Sequence, residues 1–275
     1  MTRKIKSALI SLILLLVLSS CSNTSAEPVK VQSLADLSHI HSVATDGQSI
    51  YVASHHGLYV LKDNEWKLRG EDFDIMGLAF TDGVFYASGH PGPLQNLPDP
   101  VGVLVSNDLG KTWETLSLTG EVDFHLLEAA KGNFIGAAAN LGAILKSTDG
   151  GINWANVPVP QFIDMTLNPE AENEILLATK DGLKLSKDFA KTFEKVGSIS
   201  NSTKVEWSQD YVFVSNSNNL FRGSDPTSTF EKIDYKFKGI SDINSEKNVI
   251  VVMDEEGVHA SFDSGESFSL IASLK

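Results

Sequence analysis

The sequence predicts an all-β fold, a six-bladed β-propeller behind a signal peptide. Two observations predict the ring: a turn motif recurs at nearly constant spacing, and the same series of strand-like runs recurs with it. A third, a charged then apolar leader ending at a lone cysteine, predicts what precedes it. The composition agrees. With 275 residues, 42% hydrophobic and 21% charged, the chain has a globular composition, not that of a disordered, collagen-like or polytopic membrane protein.

Residues 1–20 read as an address. Arg3, Lys4 and Lys6 form a basic n-region, and Ala8–Leu18 is an almost unbroken apolar run, shorter than the about 20 residues a bilayer-spanning helix needs. Leu18-Ser19-Ser20-Cys21 closes the leader on the chain's one cysteine. This ending resembles the lipobox of bacterial lipoproteins. The resemblance implies cleavage before Cys21 and a fatty-acylated, diacylglyceryl-modified Cys21 that holds the chain on the outer side of a bacterial membrane. More than one acyl chain makes such an anchor stable. Residues 21–30 then read as the lipidated cysteine and a polar tether, and 31–275 as the propeller. A single thiol leaves no internal disulfide and no cysteine-based zinc site. Cleavage takes the net charge from −13 to −16, which argues against a basic nucleic-acid-binding face.

The repeat is read on its aromatic residue. Trp113 ends Ser106-Asn-Asp-Leu-Gly-Lys-Thr, Trp154 ends Ser147-Thr-Asp-Gly-Gly-Ile-Asn, Phe193 ends Ser186-Lys-Asp-Phe-Ala-Lys-Thr, and Phe268 ends Ser261-Phe-Asp-Ser-Gly-Glu-Ser. Phe230 closes a weaker copy containing Asp225, and Trp66 a copy that has lost the aspartate. The aromatic spacings are 47, 41, 39, 37 and 38. Each copy also carries β-branched and aromatic runs broken by Gly, Asn or Asp, such as Ser49-Ile-Tyr-Val-Ala-Ser before Gly57-Leu-Tyr-Val. Four strands per roughly forty residues is a propeller blade, and six copies fill residues 38–272. A lone four-stranded sheet cannot bury both faces, so the blades must pack around an axis. Residues 29–34 offer one more strand, for the seam between last and first blades.

The Ser-x-Asp-x-Gly-x-Thr-Trp element resembles the Asp-box, or BNR repeat, of the sialidase and sortilin-like propeller superfamily. In that motif the Asp accepts hydrogen bonds from turn amides and the aromatic packs under the hairpin. The aspartates of the turns are therefore read as structural. The resemblance extends to bacterial lipoproteins with such repeats that are loosely named glycosyl hydrolases. It implies no substrate.

Chain direction places the histidines. In a four-stranded meander the connections into the innermost strand and between the second and third strands share one face, and the motif turns lie on the other. His39 and His41 open blade one, His55 and His56 sit in its second-to-third connection, His90 sits in that of blade two, and His125 opens blade three. These six are the candidate ligand-binding residues; His259 lies elsewhere. His39/His41 and Asp123/His125 are i, i+2 pairs, expected on one side of their strands. Asp72 and Asp74, Asp123, Asp164, Glu206 and Asp242 open blades two to six on the same face, and residues 91–100 form a long Pro/Gly loop beside His90.

Imidazoles with carboxylates suit a divalent metal or acid–base work. His41, His125 and Asp123 are the candidate metal ligands, and Met76 and Met165 lie near the same strand starts. For a glycan hydrolase the candidate acids are Asp123, Asp74 and Asp164. A sialidase is disfavoured, because the resemblance requires three arginines and only Arg69 and Arg222 remain after cleavage. The leading expectation is a membrane-anchored monomer whose His/Asp-rich face binds a glycan, small molecule or protein. A glycan hydrolase and a metal-binding or metal-dependent hydrolase are the alternatives.

Overall fold

The computed structural model describes residues 30–31, 33–37, 39–197 and 199–275. The predicted signal peptide, Cys21 and residues 21–29 of the tether lie outside the described residues. Within them the chain is an all-β propeller of six antiparallel sheets, each a meander running from the axis outward. The innermost strands are Ile40–Thr45, Asp74–Thr81, Phe124–Ala130, Asp164–Leu167, Lys204–Trp207 and Asp242–Glu246. Each touches the next around the axis, and the last touches the first, so the ring closes.

Burial follows from blade packing. The second strands Ile50–Ser54, Ile175–Thr179 and Val249–Met253 are buried at every position, because a neighbouring blade covers each face. Outermost strands need no such pattern, and both residues of Ala155–Asn156 are exposed. The apolar core is accordingly distributed, with one cluster at each blade interface. At one of them Tyr51 and Leu58 of blade one meet Phe73 and Phe85 of blade two.

The seam differs from expectation in detail. Lys30–Val31 pairs with Glu65–Arg69 as a fifth, outer strand of blade one. A single 3-10 turn, Leu34–Asp36, follows, capped by the Ser33 hydroxyl. It drops Leu34 and Leu37 into the core shared by blades six and one, beside Val52, Val251 and Val258. The segment closes the seam with side chains rather than with a strand of blade six.

The recurring aspartates behave as turn residues. Asp108 Oδ1 accepts from the Lys111 and Thr112 amides at 3.0 and 2.9 Å, and Oδ2 accepts from the Thr112 hydroxyl at 2.8 Å. Asp149, Asp188 and Asp263 hold their hairpins through equivalent bonds. These donors favour the ionised form and draw all four carboxyls down to about 2.

The innermost strand of a blade has a free edge toward the axis, and its amides need acceptors. Side chains of the preceding blade supply them. Asp164 accepts from the Val205 amide at 3.0 Å, Glu206 from the Ser245 amide at 2.8 Å, and Asp242 from the Val43 amide at 2.8 Å. Three of the carboxylates expected at the mouth are thus committed to stitching blade to blade. His259 is structural: buried, it meets Asp254 at 2.8 Å and the Tyr235 hydroxyl at 3.0 Å.

Candidate ligand-binding mouth

Three backbone irregularities build the mouth. The innermost strands of blades one, two and three each carry a β-bulge near the start. His41, Met76 and His125 are the residues left unpaired, between Ile40 and Ser42, Ile75 and Gly77, and Phe124 and Leu126. A bulge breaks the in–out alternation and re-aims the extra side chain. All three line one axial cavity of about 90 Å³, with Asp164, Lys204 and Asp242 on the far wall. Across these bulges Asp123 meets His125 directly, while His39 and His41 each approach His55. His125 Nε2 lies 2.8 Å from Asp123 Oδ2, and the rings of His39 and His41 stand 5.0 and 4.6 Å from that of His55.

The six histidines form two linked groups. In the first, His55 Nδ1 lies 2.7 Å and His41 Nε2 3.5 Å from the Asp74 carboxylate, while His56 Nδ1 lies 3.4 Å from Asp72. In the second, Asp123 Oδ2 lies 2.8 Å from His125 and 3.7 Å from His90, whose Nδ1 meets Asp99 at 2.7 Å. Asp74 and His90 are register partners across blade two, which joins the groups. Among the described residues, His41, His55 and Asp74 alone bring three donor atoms within 4.8 Å of one another. The structure therefore groups His41 with His55 and Asp74, not with His125 and Asp123.

Two glycines let the long loop close on this site. Gly89 sits at φ +147°, where a Cβ would come within 2.1 Å of the Asp74 carbonyl oxygen. At Gly92 a Cβ would come within 1.6 Å of the Asp72 carbonyl oxygen, so residue 92 must be glycine for the loop to lie against Asp72–Phe73. The Val101 amide bonds the Gly89 carbonyl at 3.0 Å and the Gly120 amide the Pro100 carbonyl at 2.7 Å, which holds Asp99 against His90.

Electrostatics divides the mouth from the channel. Burial lowers the His41 pKa against the pull of Asp74. The hydrogen bond that the His90 ring donates to Asp99, with help from Asp123, raises the His90 pKa despite partial burial. Deeper in, burial raises Asp164, pushes Asp242 up to about 6 and Glu206 up to about 8, and raises Glu128. Burial works against the Lys204 charge, but Asp164 and Asp242 outweigh it and raise its pKa. Four polar atoms at or beside the mouth are buried without a hydrogen-bond partner among the described residues: His41 Nε2, Ser42 Oγ, Asp74 Oδ1 and Asp123 Oδ1.

Sequence reasoning missed Lys204 and Glu128, which only their place on the innermost strands could have signalled. It also missed the opposite end of the channel, a cavity of about 220 Å³ lined by Phe80, Asp82, Lys131, Glu170 and Trp207. No described helix is long and apolar enough to cross a membrane.

No protein-family model matches the sequence, and no curated protein matches it. Solved structures share its fold. The chain is similar to YCF48 bound to D1 peptide, with 14% identity and a TM-score of 0.52, over 88% of this chain and 83% of that one. It is similar to a chain of a nidogen/laminin complex, with 11% identity and a TM-score of 0.54, over 80% and 91%. It is also similar to an ancestral GH74 enzyme, with 12% identity and a TM-score of 0.51, over 82% of this chain but 36% of that one. At such identities the likeness establishes the β-propeller and nothing of the chemistry.

Proposed function

We propose that the chain is a membrane-tethered, extracytoplasmic binding propeller that captures a partner on its His/Asp-rich mouth. One observation carries this reading: three buried polar atoms from three blades, His41 Nε2, Asp74 Oδ1 and Asp123 Oδ1, gather at one mouth with no hydrogen-bond partner among the described residues. Buried polar groups are nearly always satisfied, so a set left open in one place marks where a ligand completes them. The exposed side chains of Leu94 and Leu141, on the second-to-third connections of blades two and three, and of Ile163, just before the innermost strand of blade four, add apolar contact on that face. Two of the structural neighbours, YCF48 with its D1 peptide and the nidogen/laminin complex, are described with bound partners, which supports a binding role for the fold. The tether is Cys21, whose setting after the apolar leader supports lipidation.

The test is site-specific photo-crosslinking in native membranes. A crosslinker at Leu94 is expected to trap a defined partner, whereas one at Ile152, on the opposite face, is not. Asp123→Asn is expected to abolish the Leu94 adduct. Equal trapping at both positions, or an Asp123→Asn adduct as strong as wild type, overturns the reading. Cys21→Ser is expected to release the protein from the membrane.

A glycan-hydrolase reading through Asp123, Asp74 and Asp164 ranks second. The GH74 likeness and the gathered carboxylates favour it. Against it, Asp164 is already held by the Val205 amide and Lys204, and among the described residues no Phe, Tyr or Trp ring lines the axial cavity for a sugar to stack on. Turnover of a polysaccharide that disappears in Asp123→Asn would reverse the order.

A further inference from the structure

We propose that His41, His55 and Asp74 form a site for one first-row divalent transition-metal ion at the mouth of the channel. The proposal rests on the reading of this mouth as a binding surface and names what completes its inner part.

Geometry is the first argument. The donor atoms His41 Nε2, His55 Nδ1 and an Asp74 carboxylate oxygen all lie within 4.8 Å of one another. Metal–ligand bonds of about 2.0–2.2 Å set tetrahedral donors about 3.3 Å apart. His41 Nε2 and Asp74 Oδ1 stand 3.5 Å apart, and neither makes a hydrogen bond to any described residue. At that separation an ion set beside the contact, about 2.1 Å from each atom, satisfies both the nitrogen and the carboxylate oxygen. The remaining edge, His55 Nδ1 to Asp74 Oδ2, is a hydrogen bond of 2.7 Å that opens by about half an ångström when an ion replaces the shared proton.

Preorganisation is the second. The bulge fixes His41 toward the axis, and the edge-on contact of its ring with that of His55, at 4.6 Å and 89°, holds the two imidazoles at a right angle. The three ligands come from neighbouring blades, two from blade one and one from blade two, whose shared core includes Phe73 and Ile75 directly beside Asp74. His41 and Asp74 stand on innermost strands, and His55 sits in the two-residue turn between Ser54 and Gly57, so the site is held by the ring and one tight hairpin.

Donor chemistry is the third. Two imidazoles and one carboxylate select zinc, cobalt, iron or manganese over calcium or magnesium, which take all-oxygen shells. Three protein ligands leave at least one position open toward the cavity, where water or an oxygen of the captured partner binds.

The test uses the purified full chain in detergent, freed of metal and titrated with Co²⁺ and Zn²⁺. One equivalent of Co²⁺ is expected to give the ligand-field absorption of a low-coordinate site, which Zn²⁺ then displaces. Asp74→Asn and His55→Ala are expected to weaken binding at least tenfold, whereas Asp123→Asn and His125→Ala keep wild-type affinity. Unfolding curves without metal show which variants remain folded, and His41→Gln serves as a third ligand variant. Absence of a saturable single equivalent, or Asp74→Asn and His41→Gln binding like wild type, overturns the site. So does equal loss in Asp123→Asn. If the metal fails while the Leu94 crosslink persists, the site falls and the binding mouth stands. If both fail, the reading of the mouth falls with it.

Discussion

Lys204 Nζ lies 3.4 Å from Asp164 Oδ1, and at 3.9 Å it also reaches Asp242, so one ammonium group of blade five holds a carboxylate from the blade on either side. Both acids also accept the inward amides that join blades four to five and six to one. Lys204→Met removes the cation and leaves both buried acids short of a partner. Because the pair is partly open to the channel, the expected loss is about 2–3 kcal/mol, below that for a fully buried pair. Urea unfolding of the variant near pH 7 measures it, and a smaller loss is expected at pH 5, where Asp242 is protonated.

The loop beside the mouth is pinned by steric fit. Gly92→Ala places a Cβ against the Asp72 carbonyl oxygen and pushes residues 91–100 outward. The expected cost is about 1–3 kcal/mol. Asp99 then leaves His90, and the His90 pKa falls toward its ordinary value. Titration of His90 by NMR reads this shift, and urea unfolding of the variant measures the general destabilisation separately.

Ring closure depends on two leucines outside the repeats. Leu34 is fully buried between blades six and one. Leu34→Ala is expected to cost about 2–4 kcal/mol, the range for a buried leucine. Limited proteolysis is expected to cut first at the seam. Equal protection of the variant and wild type would refute a closing role for this segment.

Acid stability reports the turn aspartates. The folded carboxyls sit at about 2, below the ordinary 3.8, so each contributes stability that is present above about pH 4 and lost as pH falls through 2. Asp149→Asn removes one such contribution. Melting temperatures from pH 6 to pH 2 are expected to show a lower plateau and a shallower acid decline than wild type.

The ring itself was legible in the sequence. The turn aspartates and aromatics recur because each blade needs the same hairpin, and their count gave the blade number. The face shared by six histidines was legible too, since strand direction follows from chain order alone. What could not be read was how they are aimed. Ile40-His41-Ser42 and Phe124-His125-Leu126 look like ordinary alternating strand, and only the pairing with the next strand reveals the extra residue. The partners of Asp164, Glu206 and Asp242 were equally hidden, because each accepts from a backbone amide about forty positions away or, for Asp242, at the other end of the chain. An amide carries no side-chain signature.

The three bulges have a structural corollary. A single added residue, absorbed within one strand, turns a side chain inward while the hairpins, the turns and the interlocking walls stay as they were. Repetition gives the scaffold its near-symmetry, and three one-residue departures in the innermost strands of adjacent blades give it a polarity, with imidazoles set against carboxylates on one half of the rim and a lysine between two carboxylates on the other. Any molecule seated over the axis therefore meets two chemically unlike semicircles, and has one preferred orientation.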